Sequence, residues 1–184
     1  MRYPPEETAE KHKRILEEAA RLFRERGFSR VSVSEIMKAT GLTHGPFYNH
    51  FASKEALVSE ALDVASSKNL DALDHIAAKH GLAGYLDRYL SRAHVEHAGE
   101  GCLISALATE VGKEPSAQPA FTKHVRASID RIEALMSGQP EDARRAEAMR
   151  SLSAMAGAIL LARAVDDPAL GDEFLAAVRQ GLPD

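Results

Sequence analysis

The stretch from Ser32 to Glu55 constrains the chain more than any other. Ser32-Val33-Ser34-Glu35 has the Ser-x-x-Glu spacing of a capping box, in which side chain and backbone satisfy each other's N–H groups at a helix start. Val33, Ile36 and Met37 then share one helical face. Gly41 cuts that helix short and accepts the left-handed backbone of a tight interhelical turn. Leu42 follows as a buried pin, Thr43 is a cap for a second short helix, and Pro46 falls in its first turn, where a missing N–H costs little. Phe47 and Phe51 are four apart and form its apolar back, which leaves His44, Tyr48, Asn49 and His50 in front. Ser53 and Lys54 open the next helix.

This is helix, glycine turn, helix, with one apolar and one hydrogen-bonding side. A helix that reads the major groove of DNA needs that arrangement: N-terminal residues at base edges, hydroxyls and cations at phosphates. The bland reading of Phe47 and Phe51 is the right one, since they are core. For Tyr48, His50 and Lys54 together, a purely structural role is the weaker reading.

From about Lys13 to Leu57 the chain resembles the N-terminal domain of the TetR family of transcriptional regulators. The resemblance is carried by Ile15 to Phe23, Gly27-Phe28, Val33 to Ile36, Gly41-Leu42, Gly45, Phe47-Tyr48, His50-Phe51 and Ser53-Lys54-Glu55. It implies that Ser34, Thr43, His44, Gly45, Pro46, Tyr48, Asn49, His50 and Lys54 form the DNA-binding set. Tyr48 and Lys54 would mainly hold phosphates, and His44 and Asn49 would read bases. Pro46 is not the commonest family residue at its position, and some relatives carry a longer side chain where Ser34 stands.

Elsewhere the chain reads as all-α. Ala, Leu, Glu and Arg dominate, and no segment sustains period-two alternation. Helices are expected over Glu6–Arg26, from Ser53 toward Ala78 with a break near Ser66-Ser67, and from Tyr85 to Gly99 after a turn bracketed by Gly81 and Gly84. Further helices are expected over Leu103–Val111, from Phe121 to Met136 after a Lys113–Pro119 loop, and in two C-terminal segments. Ser137-Gly138-Gln139-Pro140 separates the first of those from its predecessor, and Asp167-Pro168 starts the last as N-cap and first-turn proline. The expected domains are a three-helix helix-turn-helix head at 1–52 and a helical effector-binding and dimerisation body at 53–184.

Charge divides in the same sense. Residues 1–55 carry ten Lys/Arg and eight Asp/Glu, whereas the remainder carries thirteen and nineteen. A mildly basic end on an acidic body suits a DNA-reading head. Arg2, in the first five residues, is a candidate minor-groove arm, with a frayed end as the plainer reading. One cysteine, no apolar leader at the N-terminus and no apolar run longer than Ala154–Ala162 together point to a cytoplasmic protein with no membrane partner.

Two apolar C-terminal stripes remain: Met149, Leu152, Ala156 and Ile159-Leu160, then Leu170, Phe174, Leu175, Val178 and Leu182. Both exposed on a monomer would be a large patch, and the resemblance implies a four-helix bundle between two copies. It also implies that the long helix after Ser53 couples head to body. The expected function is a homodimeric regulator, a repressor released from a palindromic operator by an unknown small-molecule effector. The candidate effector pocket is Leu62, Tyr85, Tyr89, Cys102, Leu107, Phe121 and Val125.

Cys102 keeps two readings: a small buried hydrophobe, or an electrophile or redox sensor at a helix start. The sensor reading leans on Gly101-Cys102-Leu103-Ile104, which resembles a pattern in some TetR-family bodies. A metal site at His94, His97 and Cys102 is disfavoured by Gly99 and Gly101 and by the lack of a completing ligand, so no metal and no cofactor is expected. An enzyme built on His94, His97 or Cys102 with Glu96 or Glu110 is the rival class. It lacks a Ser/His/Asp context or a phosphate-cradling glycine loop, so no enzymatic activity is expected. A helical interaction module with a vestigial head is the third, opposed by the intact Tyr48, His50 and Lys54.

Overall fold

The structure, a computed structural model, describes residues 5–43, 45, 47–136 and 140–183. His44 and Pro46, the Arg2 arm and the Ser137-Gly138-Gln139 separator lie outside the described residues. The elements are α1 (Pro5–Arg26), α2 (Val33–Ala39), α3 (Phe47–His50), α4 (Lys54–Tyr89), α5 (Arg92–Glu96), α6 (Leu103–Val111), α7 (Gln118–Leu135), α8 (Glu141–Ala164) and α9 (Pro168–Gly181). The fold is all-α, with no strand among the described residues. None of the described helices is long and apolar enough to cross a membrane.

The head follows from local chemistry. Glu35 N–H donates to Ser32 Oγ (3.2 Å) and Ser32 N–H donates to Glu35 Oε2 (2.8 Å), so the capping box closes in both directions. Gly41 takes φ +70°, and Leu42 N–H donates back to Met37 O (2.9 Å), which ends α2 tightly. Arg14 of α1 donates to the Thr40 carbonyl and ties the turn to the first helix. Ile15, Leu22 and Phe23 of α1 meet Ile36, Met37, Phe47 and Phe51 in one buried cluster. That cluster does not stop at residue 53. It runs along α4 through Leu57, Ala61 and Leu62 to Ala65, and takes in Leu103 and Leu107 of α6.

A second cluster fills the body, built from Leu73, Leu86, Ile132, Met155, Ile159 and their neighbours. Three expectations change here. First, α4 is unbroken at Ser66-Ser67: Ser67 Oγ donates to the Asp63 carbonyl (3.2 Å), and Ser66 turns inward to His124. Second, the Gly81–Gly84 turn is a one-residue kink, with Gly81 alone at φ +65°, ψ −165°. Third, the helix expected to reach Gly99 stops at Tyr89. Ser91 accepts from His94 N–H (3.3 Å) and so starts a separate short helix, as a hydroxyl competing for local backbone groups does. Its end passes into a tight turn at Ala98–Glu100. Asp167 caps α9 as expected, accepting from Ala169 N–H (2.9 Å).

Candidate nucleic-acid interface and body cavity

The front of the head carries most of the expected DNA-facing set. Ser34, Thr43, Gly45, Tyr48 and Asn49 are exposed, and Tyr48 is 68% exposed although its neighbour Phe47 is 1%. An exposed tyrosine held against a buried ring (centroids 5.2 Å, edge-on) is a rigid hydroxyl at the surface. His50 is only half-exposed and sits 5.7 Å from the His12 ring, which stacks on Phe51 at 4.6 Å. Burial, then the nearby His12 and Lys11 charges, holds its pKa below the usual histidine value, so it is neutral at pH 7. Lys54 is half-buried, and its Nζ donates to the Phe28 carbonyl at 2.7 Å. One of its three N–H bonds is therefore spent on holding α4 to the α1–α2 loop.

The body holds a half-open cavity of about 310 Å³ between α4, α5, the start of α6, α7 and α8. Leu70, Leu73, Ile76 and Leu152 form apolar walls, and Tyr85 and Tyr89 add rings set edge-on at 5.9 Å. Burial first, and then the neighbouring Cys102, raises both phenol pKa values, so both stay protonated. His94 is fully engaged: Nδ1–H donates to Tyr89 O (2.7 Å) and Nε2 accepts from Cys102 N–H (2.9 Å). Burial pushes its pKa down to about 4. No ring nitrogen of His94 is left for a metal or for proton transfer, and no metal-holding group of three His, Cys, Asp or Glu exists among the described residues.

Of the expected pocket residues, Tyr85, Tyr89 and Cys102 line this cavity. Leu62 and Leu107 do not: both are buried in the first cluster, with Phe121 packed against it. Val125 packs on the second cluster without lining the cavity. Helical period put these side chains inside, but not on which side of α4 and α6 they point. The sequence reasoning missed His124, Ser128 and Asn69. His124 is 2% exposed, its Nδ1 lies 2.9 Å from Ser66 Oγ, and burial pushes its pKa down to about 4. No local signal in the sequence pairs His124 with Ser66, 58 residues earlier.

A family model described as bacterial regulatory proteins, tetR family, matches residues 15–61. A Mycobacterium tuberculosis protein named as an HTH-type transcriptional regulator is 29% identical over 167 residues, 82% of each chain. The Shigella flexneri regulator AcrR is 42% identical over 62 residues, covering 34% of this chain and 29% of its own. A TetR transcriptional regulator from Chloroflexus aurantiacus superposes with TM-score 0.78 at 24% identity, covering 95% of both chains. The chain belongs to the TetR family. It is a DNA-binding transcriptional regulator, and the relatives it matches are named regulators.

For a TetR-family chain, the outer face of the body matters as much as its interior. Leu152, Met155, Ile159 and Ala162 of α8 turn inward. Met149, Leu160, Leu161 and Leu170 are 50%, 43%, 42% and 39% exposed. Apart from Tyr48, these are the large apolar side chains left exposed among the described residues, and all four lie on α8 and α9.

Proposed function

We propose that the protein is a homodimeric repressor that binds a pseudo-palindromic operator and leaves it when a small molecule fills the body cavity. Residues 1–52 act as the reading head, and residues 53–184 as the effector-binding and dimerisation body, in the cytoplasm. The observation that carries this reading is the two-sided third helix, Phe47 and Phe51 buried and Tyr48 and Asn49 exposed. Tyr48 and the remaining N–H bonds of Lys54 hold phosphates, and His44 and Asn49 meet base edges. Ser34, Thr43, Gly45, Pro46 and His50 shape the same surface. Dimerisation is supported by the exposed leucines of α8 and α9. A single short helix reads few bases, and a second half-site one helical turn away, ~34–36 Å, supplies the rest. An effector preferring the non-binding shape a hundredfold weakens operator binding by up to ~2.7 kcal/mol.

Selection from a random duplex pool at physiological salt tests this, since phosphate-driven affinity is salt-dependent. An enriched inverted repeat is expected. A single enriched half-site would remove the dimer, and no enrichment would remove sequence-specific reading altogether.

Sensing by Cys102 is a second reading with one observation in its favour. The cysteine lines the cavity, and Arg24 and Arg163, remote in sequence, lie within electrostatic range of it. Cys102→Ser would then abolish any response of DNA binding to electrophiles, and an unchanged response would dismiss it.

A further inference from the structure

The cavity's polar atoms specify the chemistry of its occupant. Most are already committed. His94 uses both ring nitrogens. Asn69 donates to Gly101 O (3.4 Å) and accepts from Leu103 N–H (3.1 Å). Ser128 Oγ donates to His124 O at 2.9 Å. Of the fully buried ones, Tyr89 Oη lies within reach of Cys102 and Ser105, whereas His124 Nε2 is uncommitted: it has no hydrogen-bond partner, on a residue 2% exposed that lines the cavity. Buried polar atoms are nearly always paired, so each open one asks for an explanation.

Its direction can be assigned. Ser66 Oγ has His124 Nδ1 as its partner among the described residues. A hydroxyl left without an acceptor would strand its proton, so Ser66 O–H donates and Nδ1 accepts. The ring proton of neutral His124 then sits on Nε2. The open atom is a donor. Arg88 and Glu100, the charged residues of the lining, are both exposed. The nearby walls are leucine and isoleucine side chains and ring edges, with Tyr89 and His94 edge-on at 4.6 Å. The volume of about 310 Å³ is roughly twice the ~150 Å³ that accepts one benzene ring, which suits about ten to twelve non-hydrogen atoms.

We propose that the cavity binds an uncharged, flat, largely apolar molecule whose carbonyl or ether oxygen accepts a hydrogen bond from His124 Nε2. The ligand class stands on the cavity alone; its regulatory consequence rests on the effector reading above.

Calorimetry on the full chain tests it with three probes: 1-tetralone, tetralin, which lacks the oxygen, and 1-naphthoate, which is anionic. The ketone is expected to bind at least tenfold tighter than the hydrocarbon, with naphthoate not binding. His124→Phe should abolish the ketone's advantage while tetralin still binds, which shows that the variant is folded. His124→Gln, which keeps an N–H donor, should restore part of it. Equal binding of ketone and hydrocarbon, tightest binding of naphthoate, or no ketone binding at about 1 mM would overturn the proposal. Operator affinity is measured in parallel. Ketone binding that leaves operator affinity unchanged keeps the ligand class and removes the effector reading.

Discussion

In the reading head, the ends of the elements are tied by named bonds: Ser32 with Glu35, Arg14 with the Thr40 carbonyl, Lys54 with the Phe28 carbonyl. In the body, His124 lines a cavity and its buried Nε2 has no partner. Both regions are helical and both are built on buried leucines and rings, so the contrast is not one of fold. It is one of which free energy has been released on folding. Apart from Arg24 Nη1, the head has spent its buried hydrogen bonds on geometry, because a reading helix works only when held in register with a groove. The body has left a donor unpaired on a residue that lines its cavity, and an unpaired buried donor is capacity for a ligand that has not yet arrived.

The largest expected effect breaks the head. Phe47 is 1% exposed at the junction of α1, α2 and α4, so Phe47→Ala should cost roughly 3–5 kcal/mol in urea denaturation. A loss under about 1 kcal/mol would mean that the third helix is not part of the first core.

Acid should strike the body next. His124 has its pKa pushed down to about 4, by burial first and then by the Arg131 charge, against ~6.5 in the unfolded chain. The folded state therefore binds fewer protons in that interval. Stability is intact above pH 6.5 and is lost as pH falls toward 4, by on the order of 3 kcal/mol for this residue. His94, shifted the same way, adds to the loss. Urea midpoints from pH 7.5 down to 4.5 measure the slope, and the slope should flatten in a chain without His124. The opposite slope, or none, would show that His124 is not buried neutral.

Tyr48→Phe probes the head's outer face instead. The loss of one phosphate-directed hydroxyl should weaken binding to all duplexes alike, by about 1 kcal/mol. Mobility shifts on cognate and scrambled DNA check it, and a change of sequence preference would put Tyr48 among the base readers.

The head was legible in sequence because its determinants are local. A capping box, a glycine at the turn and two phenylalanines four apart act within one or two helical turns, and the structure reproduces them in place. Asp167-Pro168 and the helix Leu103–Val111 were legible for the same reason. What stayed hidden depends on which way a buried side chain faces. Periodicity marks Leu62 and Leu107 as buried, but two cores meet along α4 and α6, and both residues belong to the one without the cavity. Lys54 reads as a surface cation until the fold brings the Phe28 carbonyl to it. His124 and Ser66 are 58 residues apart, and no local pattern links them. Arg163 reaches Val95 O and His94 O, beside Cys102, from the far end of α8.

The smallest expected effect is the most discriminating. Ser66→Ala alone leaves both nitrogens of a buried imidazole unpaired and should cost ~1–3 kcal/mol. Adding His124→Leu removes every member of that polar pair and leaves apolar side chains of comparable size in their place. The double variant should then recover to within about 1 kcal/mol of the parent, or exceed it, because no donor is left stranded. An equivalent deletion in the head behaves differently: Ser32→Ala removes a cap that the backbone needs, and about 1 kcal/mol is lost with no second substitution to restore it. A double variant less stable than Ser66→Ala would mean that the imidazole is part of the body's support. The contrast between a head that uses its polar groups for shape and a cavity that holds them in reserve would then fail at the residue on which it most depends.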